Sequence, residues 1–165
     1  RVLFRSFHFE DNMDEYNSSV FSNKKHNKAY NLDVFDAIQT VDADVIYLDP
    51  PYAGTMNDYF GFYGLLDSYI SGRQTVPFEN NFMDRKTIVE QFDKLFSSLS
   101  KFKYWILSYN SRSKPAKDEL LSIISKYASS VEVYEMPYAY KVTGKEKKNK
   151  DVEYLFIARS KSYGK

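Results

Sequence analysis

Asp44-Val45-Ile46-Tyr47-Leu48-Asp49-Pro50-Pro51-Tyr52 reads as a strand that runs into a rigid turn. Four apolar residues stand between two acids, and their length and β-branched content predict a short strand buried on both faces, as in a parallel sheet. Pro50 and Pro51 lack N–H groups and cannot extend a ladder, so the strand ends there. In an open α/β sheet the carboxyl end of such a strand is where ligands bind. Asp49 offers a carboxylate, Pro50 a carbonyl without an N–H, and Tyr52 a flat ring beside them. Two prolines fix the turn and preorganise its acceptors. Acceptors beside an aromatic plate suit a planar molecule that carries an amino group. Adenine is one, and its exocyclic nitrogen is a poor nucleophile because the lone pair is delocalised into the ring. Hydrogen bonds to Asp49 and the Pro50 carbonyl favour a tetrahedral nitrogen with its lone pair released. A base held this way has first left the duplex. The plain alternative is a Pro-rich turn with no function, since Asp-Pro often starts turns.

Upstream of this stretch, Val34–Ile38 carries a short apolar pattern behind Asp33, a good helix cap. Ala53–Met83 is aromatic and Gly-containing, with a helix predicted around Tyr63–Ile70 and a surface loop over Ser71–Met83. Asp84–Leu99 has Ile88, Val89, Phe92, Leu95, Phe96 and Leu99 on one helical stripe. Lys103-Tyr-Trp-Ile-Leu-Ser108 reads as a second buried strand. A further helix is predicted after Pro115, with Asp118 and Glu119 at its positive end. Val131–Tyr134 and Tyr154–Ala158 read as strands flanking the Lys-rich loop Lys141–Lys150. Strand, helix, strand, helix, strand, strand is an α/β order. The expectation is a partial Rossmann-like fold: a mostly parallel sheet, helices on both faces, and an antiparallel hairpin at one edge. Residues 1–30 are irregular and polar, and residues 31–165 form the domain.

Composition narrows the function. The 165 residues are 43% apolar, enough for one real core and against disorder. Aromatics reach 18%, which serves a core or a base-stacking surface, and which an A·T-rich genome also produces. Net charge is +1, so nucleic-acid binding needs local patches rather than a global field. The chain has no Cys, which excludes disulfides, thiolate metal sites and a Cys nucleophile. His8 and His26 are too few for a His-rich metal cluster and are assigned no role. No metal is expected. No apolar run approaches a membrane span, so no membrane partner is expected. The chain begins with Arg1, and a fragment is expected.

Asp49-Pro-Pro-Tyr-Ala-Gly-Thr55, the Tyr-rich Tyr59-Phe-Gly-Phe-Tyr-Gly-Leu-Leu-Asp67, Leu107-Ser-Tyr-Asn110 and Glu153-Tyr-Leu-Phe-Ile157 stand in an order that resembles the bacterial DNA adenine methylase group. That group comprises S-adenosylmethionine-dependent enzymes acting on adenine N6 in DNA, and the resemblance runs from about Asn31 to Arg159. It implies direct methyl transfer from S-adenosylmethionine to a flipped adenine of double-stranded DNA. It also implies a restriction-modification setting and a cytoplasmic protein of a bacterium or phage. Asp49, Pro50, Pro51 and Tyr52 are then the catalytic turn, with Asp49 also near the cofactor. Asp33 accepts from the cofactor's adenine amine, or simply caps its helix. Tyr59 lines the slot for the flipped base. Ser108, Tyr109 and Asn110 contact the extruded nucleotide, and Arg112 a phosphate. Turn chemistry explains the last group equally well. Lys141, Lys145, Lys147, Lys148 and Lys150 add phosphate contacts or form a solvated tip.

The chain departs from the group in one respect. None of its six glycines forms the Gly-rich loop that holds the methionine part of the cofactor. The expectation is therefore the C-terminal half of the catalytic domain, with the N-terminal half missing and residues 1–30 the tail of a target-recognition region. Two rivals stand beside this reading: methylation of another amino group in RNA or DNA, and a non-catalytic nucleic-acid-binding module.

Overall fold

The Asp44 carbonyl accepts from the N–H groups of Lys103 and Tyr104 at 2.8 and 3.0 Å. From that junction β1 (Val45–Leu48) and β2 (Tyr104–Asn110) run side by side, in parallel, through the computed structural model. Residues 15, 17–19, 24–53, 59–76, 80–138 and 151–164 are described. The chain divides into two compact units, Arg1–Leu32 and Asp33–Lys165. The first is described only in part, with helical turns at 15 and 17–19 in which Ser18 and Ser19 donate to the Glu15 carbonyl.

In the second unit α1 (Val34–Thr40) precedes β1. Next come α2 (Tyr59–Ser71), α3 (Ile88–Ser98), β2, α4 (Lys117–Tyr127), β3 (Ala128–Tyr138) and β4 (Asp151–Ser160). A short 3-10 turn follows at Lys161–Tyr163. Gly72, just past α2, has φ +64°, the left-handed conformation in which helices commonly stop at glycine. Asp84 works as a turn acceptor for the Lys86 N–H at 2.9 Å, and α3 itself begins at Ile88, where its apolar stripe starts, one turn after the expected start at Asp84.

The sheet order is β1-β2-β4-β3. This corrects the expectation of a mostly parallel sheet. The crossovers from β1 to β2 and from β2 to β3 contain helices, and these three strands do share one direction. But β4 turns back along β3 and enters between β3 and β2, pairing antiparallel with both. Inserting one reversed strand among parallel ones makes two antiparallel pairings and leaves only β1–β2 parallel. The expected hairpin at one edge is present as β3–β4, with Pro137 on the outer strand, where a missing N–H costs least.

The core occupies one face. In β2, Trp105, Leu107 and Tyr109 are buried while the residues between them are partly exposed. In β4, Phe156 and Ala158 lie on that same side, opposite Leu107 and Trp105. Against it stand Phe92, Leu95 and Phe96 of α3 and Leu120, Ile123 and Ile124 of α4, with Ile38 of α1 beside them. Each fully buried side chain of this size contributes about 1.5–3 kcal/mol. The Trp105 Nε1–H donates to the carbonyls of Leu99 and Phe102, both at 3.1 Å, and so satisfies a buried donor while closing the end of α3. Lys126 and Tyr127 of α4 both bond to Asp93 of α3. On the other face Val45, Tyr47 and Tyr104 are exposed. Among the described residues, then, helical cover lies on one face, not on the expected two.

Candidate active site

β1 ends in a buried Leu48, and the next residue, Asp49, is exposed at the sheet edge. The chain folds back through the half-buried Pro50, Pro51 and Tyr52 to Ala53, which is fully buried. Tyr52 is the pivot. Its phenol lies 3.4 Å from Asp49 Oδ1 and hydrogen-bonds to the Ser108 side chain. Its ring meets Tyr109 edge-on, with centroids 6.0 Å apart at 89°. Tyr109 in turn meets Phe92 edge-on at 5.7 Å, so the turn rests on an aromatic column rooted in α3. Burial pushes the Tyr52 phenol up to about 12, with the charges of Glu153 and Asp49 adding to it and the Ser108 hydrogen bond opposing. Tyr52 is therefore a neutral donor and a flat surface at physiological pH, not a base.

The end of β2 supplies the second wall. Ser108 holds Tyr52. Tyr109 is buried, and its phenol donates to the Lys114 carbonyl. It stands under the turn as a support, not at an exposed position where a nucleotide passes. Burial raises its phenol strongly as well. Asn110 accepts the Arg112 N–H on Oδ1 at 2.9 Å and donates from Nδ2 to Glu153 at 2.8 Å. Arg112 is exposed on the loop that follows. Asp33 accepts the Phe35 N–H at 2.9 Å and caps α1, which realises the capping alternative. Tyr59 is the first residue of α2, and its side chain lies outside the described residues, as do Lys141, Lys145, Lys147, Lys148 and Lys150.

β1 and β2 thus bring Asp49, Tyr52, Ser108, Tyr109 and Asn110 to one sheet edge. Glu153 is a site neighbour that motif reading did not single out as functional, although it opens the apolar run of β4. Its register opposite Asn110 is the fact that gives it a role. Among the described residues no cluster of three or more His, Asp or Glu side chains is arranged to hold a metal ion. No described helix is long and apolar enough to cross a membrane.

Residues 3–128 match the family model of D12 class N6 adenine-specific DNA methyltransferases. The chain is 52% identical over 155 residues to the type II methyltransferase M2.HphI of Haemophilus parahaemolyticus, covering 94% of this chain and 46% of that protein. It is 26% identical over 160 residues to the modification methylase StsI of Streptococcus sanguinis, covering 89% of this chain and 24% of that protein. It is 29% identical over 151 residues to the type II methyltransferase M.FokI of Planomicrobium okeanokoites, covering 83% of this chain and 23% of that protein. The chain therefore spans less than half the length of the relatives it matches. No solved structure matches it.

Proposed function

The chain belongs to the D12 class of N6 adenine-specific DNA methyltransferases, and we propose that it carries the catalytic turn of a protein that methylates adenine N6 in duplex DNA, as the modifying arm of a restriction-modification system. The observation that carries this reading is the placement of Asp49-Pro50-Pro51-Tyr52 at the carboxyl end of β1, with Tyr52 held by Ser108 and backed by Tyr109. The Asp49 carboxylate and the Pro50 carbonyl accept from the exocyclic amine of a base swung out of the duplex. Two acceptors on one nitrogen draw it toward tetrahedral geometry and release its lone pair. Tyr52 stacks on the base, and its rigid seat keeps the amine in register. Positioning and electrostatics supply the acceleration, with no covalent intermediate. Arg112 and the Lys-rich loop take phosphates.

S-adenosylmethionine, when bound, supplies the methyl group. The donor set here suits the rim of its site. Asp49, just past β1, and Asp33, the N-cap of α1, are acids fit for amino groups, and Asp33 already spends one carboxylate oxygen on its cap. No glycine pair follows an early strand to admit the methionine part, so this chain alone holds the cofactor weakly and transfers no methyl. The remaining length seen in the relatives would supply that loop.

The test is a methyl-transfer assay with labelled cofactor on the full reading frame that encodes this chain and on the chain alone. The full-length protein labels adenine N6, and the chain alone does not. Asp49→Ala lowers the rate by about a hundredfold or more. Transfer to RNA but not to DNA, or to neither, overturns the reading.

A further inference from the structure

We infer that Glu153 is a positioning residue for the catalytic turn, acting through Asn110 and the loop Ser111–Pro115; this rests on the proposed methyl transfer. Glu153, the third residue of β4, lies directly opposite Asn110, the last residue of β2. A carboxylate only accepts, so the Asn110 amide must turn its Nδ2 toward Glu153, and Oδ1 is left facing the Arg112 N–H. That one orientation starts the loop. The Asn110 carbonyl accepts the Ser113 N–H at 3.0 Å. Ser111 and Val152 exchange hydrogen bonds, Ser111 N–H to the Val152 carbonyl at 2.8 Å and Val152 N–H to Ser111 Oγ at 3.0 Å. The loop then crosses to the catalytic turn, where the Lys114 N–H donates to the Ala53 carbonyl at 3.2 Å and the Lys114 carbonyl accepts from Tyr109. Ala53 is the residue after Tyr52.

A continuous run of hydrogen bonds therefore ties Glu153, far along the sequence, to the peptide that follows the catalytic tetrapeptide. Burial is the main reason the Tyr52 phenol stays protonated, and the charge of Glu153, like that of Asp49, adds to it. Both effects fix where Tyr52 sits and what it donates. Neither needs Glu153 to touch a substrate.

The test uses the full-length protein with Glu153→Ala, with Asn110→Asp, and with Asn110→Asp combined with Glu153→Gln, which exchanges donor and acceptor. Two readings are taken. The first is the single-turnover rate of methyl transfer under saturating enzyme, which a lower folded fraction does not change, together with KM for DNA. The second is trypsin cleavage after Arg112, followed by mass spectrometry, which reports the loop whether or not methyl is transferred. Glu153→Ala lowers the single-turnover rate about tenfold with little change in KM, and speeds cleavage about tenfold. Asn110→Asp, which sets two carboxylates face to face, does the same. The exchanged pair recovers most of both. Unchanged rate and cleavage in Glu153→Ala, or an exchanged pair as poor as Asn110→Asp, overturns the inference. Faster cleavage with an unchanged rate leaves a structural clamp only and overturns the positioning role. If the wild type labels no adenine, the proposed function fails, and the cleavage ranking still decides whether the clamp exists.

Discussion

The turn after β1 and the turn after β2 end neighbouring parallel strands at one sheet edge, yet they hold their shape by different means. Asp49–Ala53 is stiffened covalently, because the rings of Pro50 and Pro51 fix two successive φ angles. Asn110–Pro115 is stiffened by hydrogen bonds from its own N–H groups and side chains to Val152, Glu153 and Ala53. The first turn presents chemistry, and the second braces it. A site that must hold an amine between fixed acceptors gains from both, since a stiff turn on a loose foundation still wanders.

Three substitutions test that contrast. The largest effect is expected at their shared support. Tyr109→Ala removes a buried ring lying against both Tyr52 and Phe92 and leaves the Lys114 carbonyl without its phenol, at a cost of about 3–5 kcal/mol in urea denaturation. A loss below about 1 kcal/mol would show that the aromatic column does not hold the turns. A smaller effect concerns the phenol of Tyr52. Its pKa is raised from 10.0 to about 12, first by burial, so the folded protein keeps that proton longer than the unfolded chain does. The stability so gained is complete below pH 10 and is lost as pH rises from 10 toward about 12. Tyr52→Phe, which keeps the ring, should therefore flatten the alkaline fall in stability across that window. An unchanged slope would place the alkaline weakness elsewhere, with Tyr109 the next candidate. The smallest effect is expected at the covalent brace. Pro51→Ala frees the unfolded chain and costs about 0.4–1 kcal/mol, while lowering methyl transfer more than it lowers stability.

The same contrast explains what could be read from the sequence. Ring constraints, β-branched runs and helical stripes are local, so the strand before Asp49, the helix carrying Phe92 and Phe96, and the Trp105 strand were legible within a few residues of their ends. Asp33 offered a cap and a cofactor contact equally well, and its bond to the Phe35 N–H shows the first. Sheet order was not legible. Whether β4 lies outside β3 or between β3 and β2 leaves the same alternating pattern in the sequence, and only the long-range register decides. Glu153 escaped for the same reason. Its partner is 43 positions away, and nothing local marks a Glu within a strand as a brace for another turn. Position at a strand end marks Ser108, Tyr109 and Asn110 alike as neighbours of Asp49, and does not say which of them faces inward; Tyr109 is the buried one. The alternation of β2 sends it inward, while Ser108 and Asn110 face the other side.

The position of β4 has a consequence for how the protein is made. A ribosome delivers β2 and β3 before β4, yet these two strands have no ladder with each other and meet only through it. Until Asp151–Ser160 has emerged, the inner edges of β2 and β3 carry unpaired N–H and C=O groups, and the ring of Phe156 is absent from the middle of the core. Closure of the sheet thus inserts the last of its four strands at the centre rather than adding it at the rim, and a nascent chain stalled before that strand exposes open edges prone to aggregation.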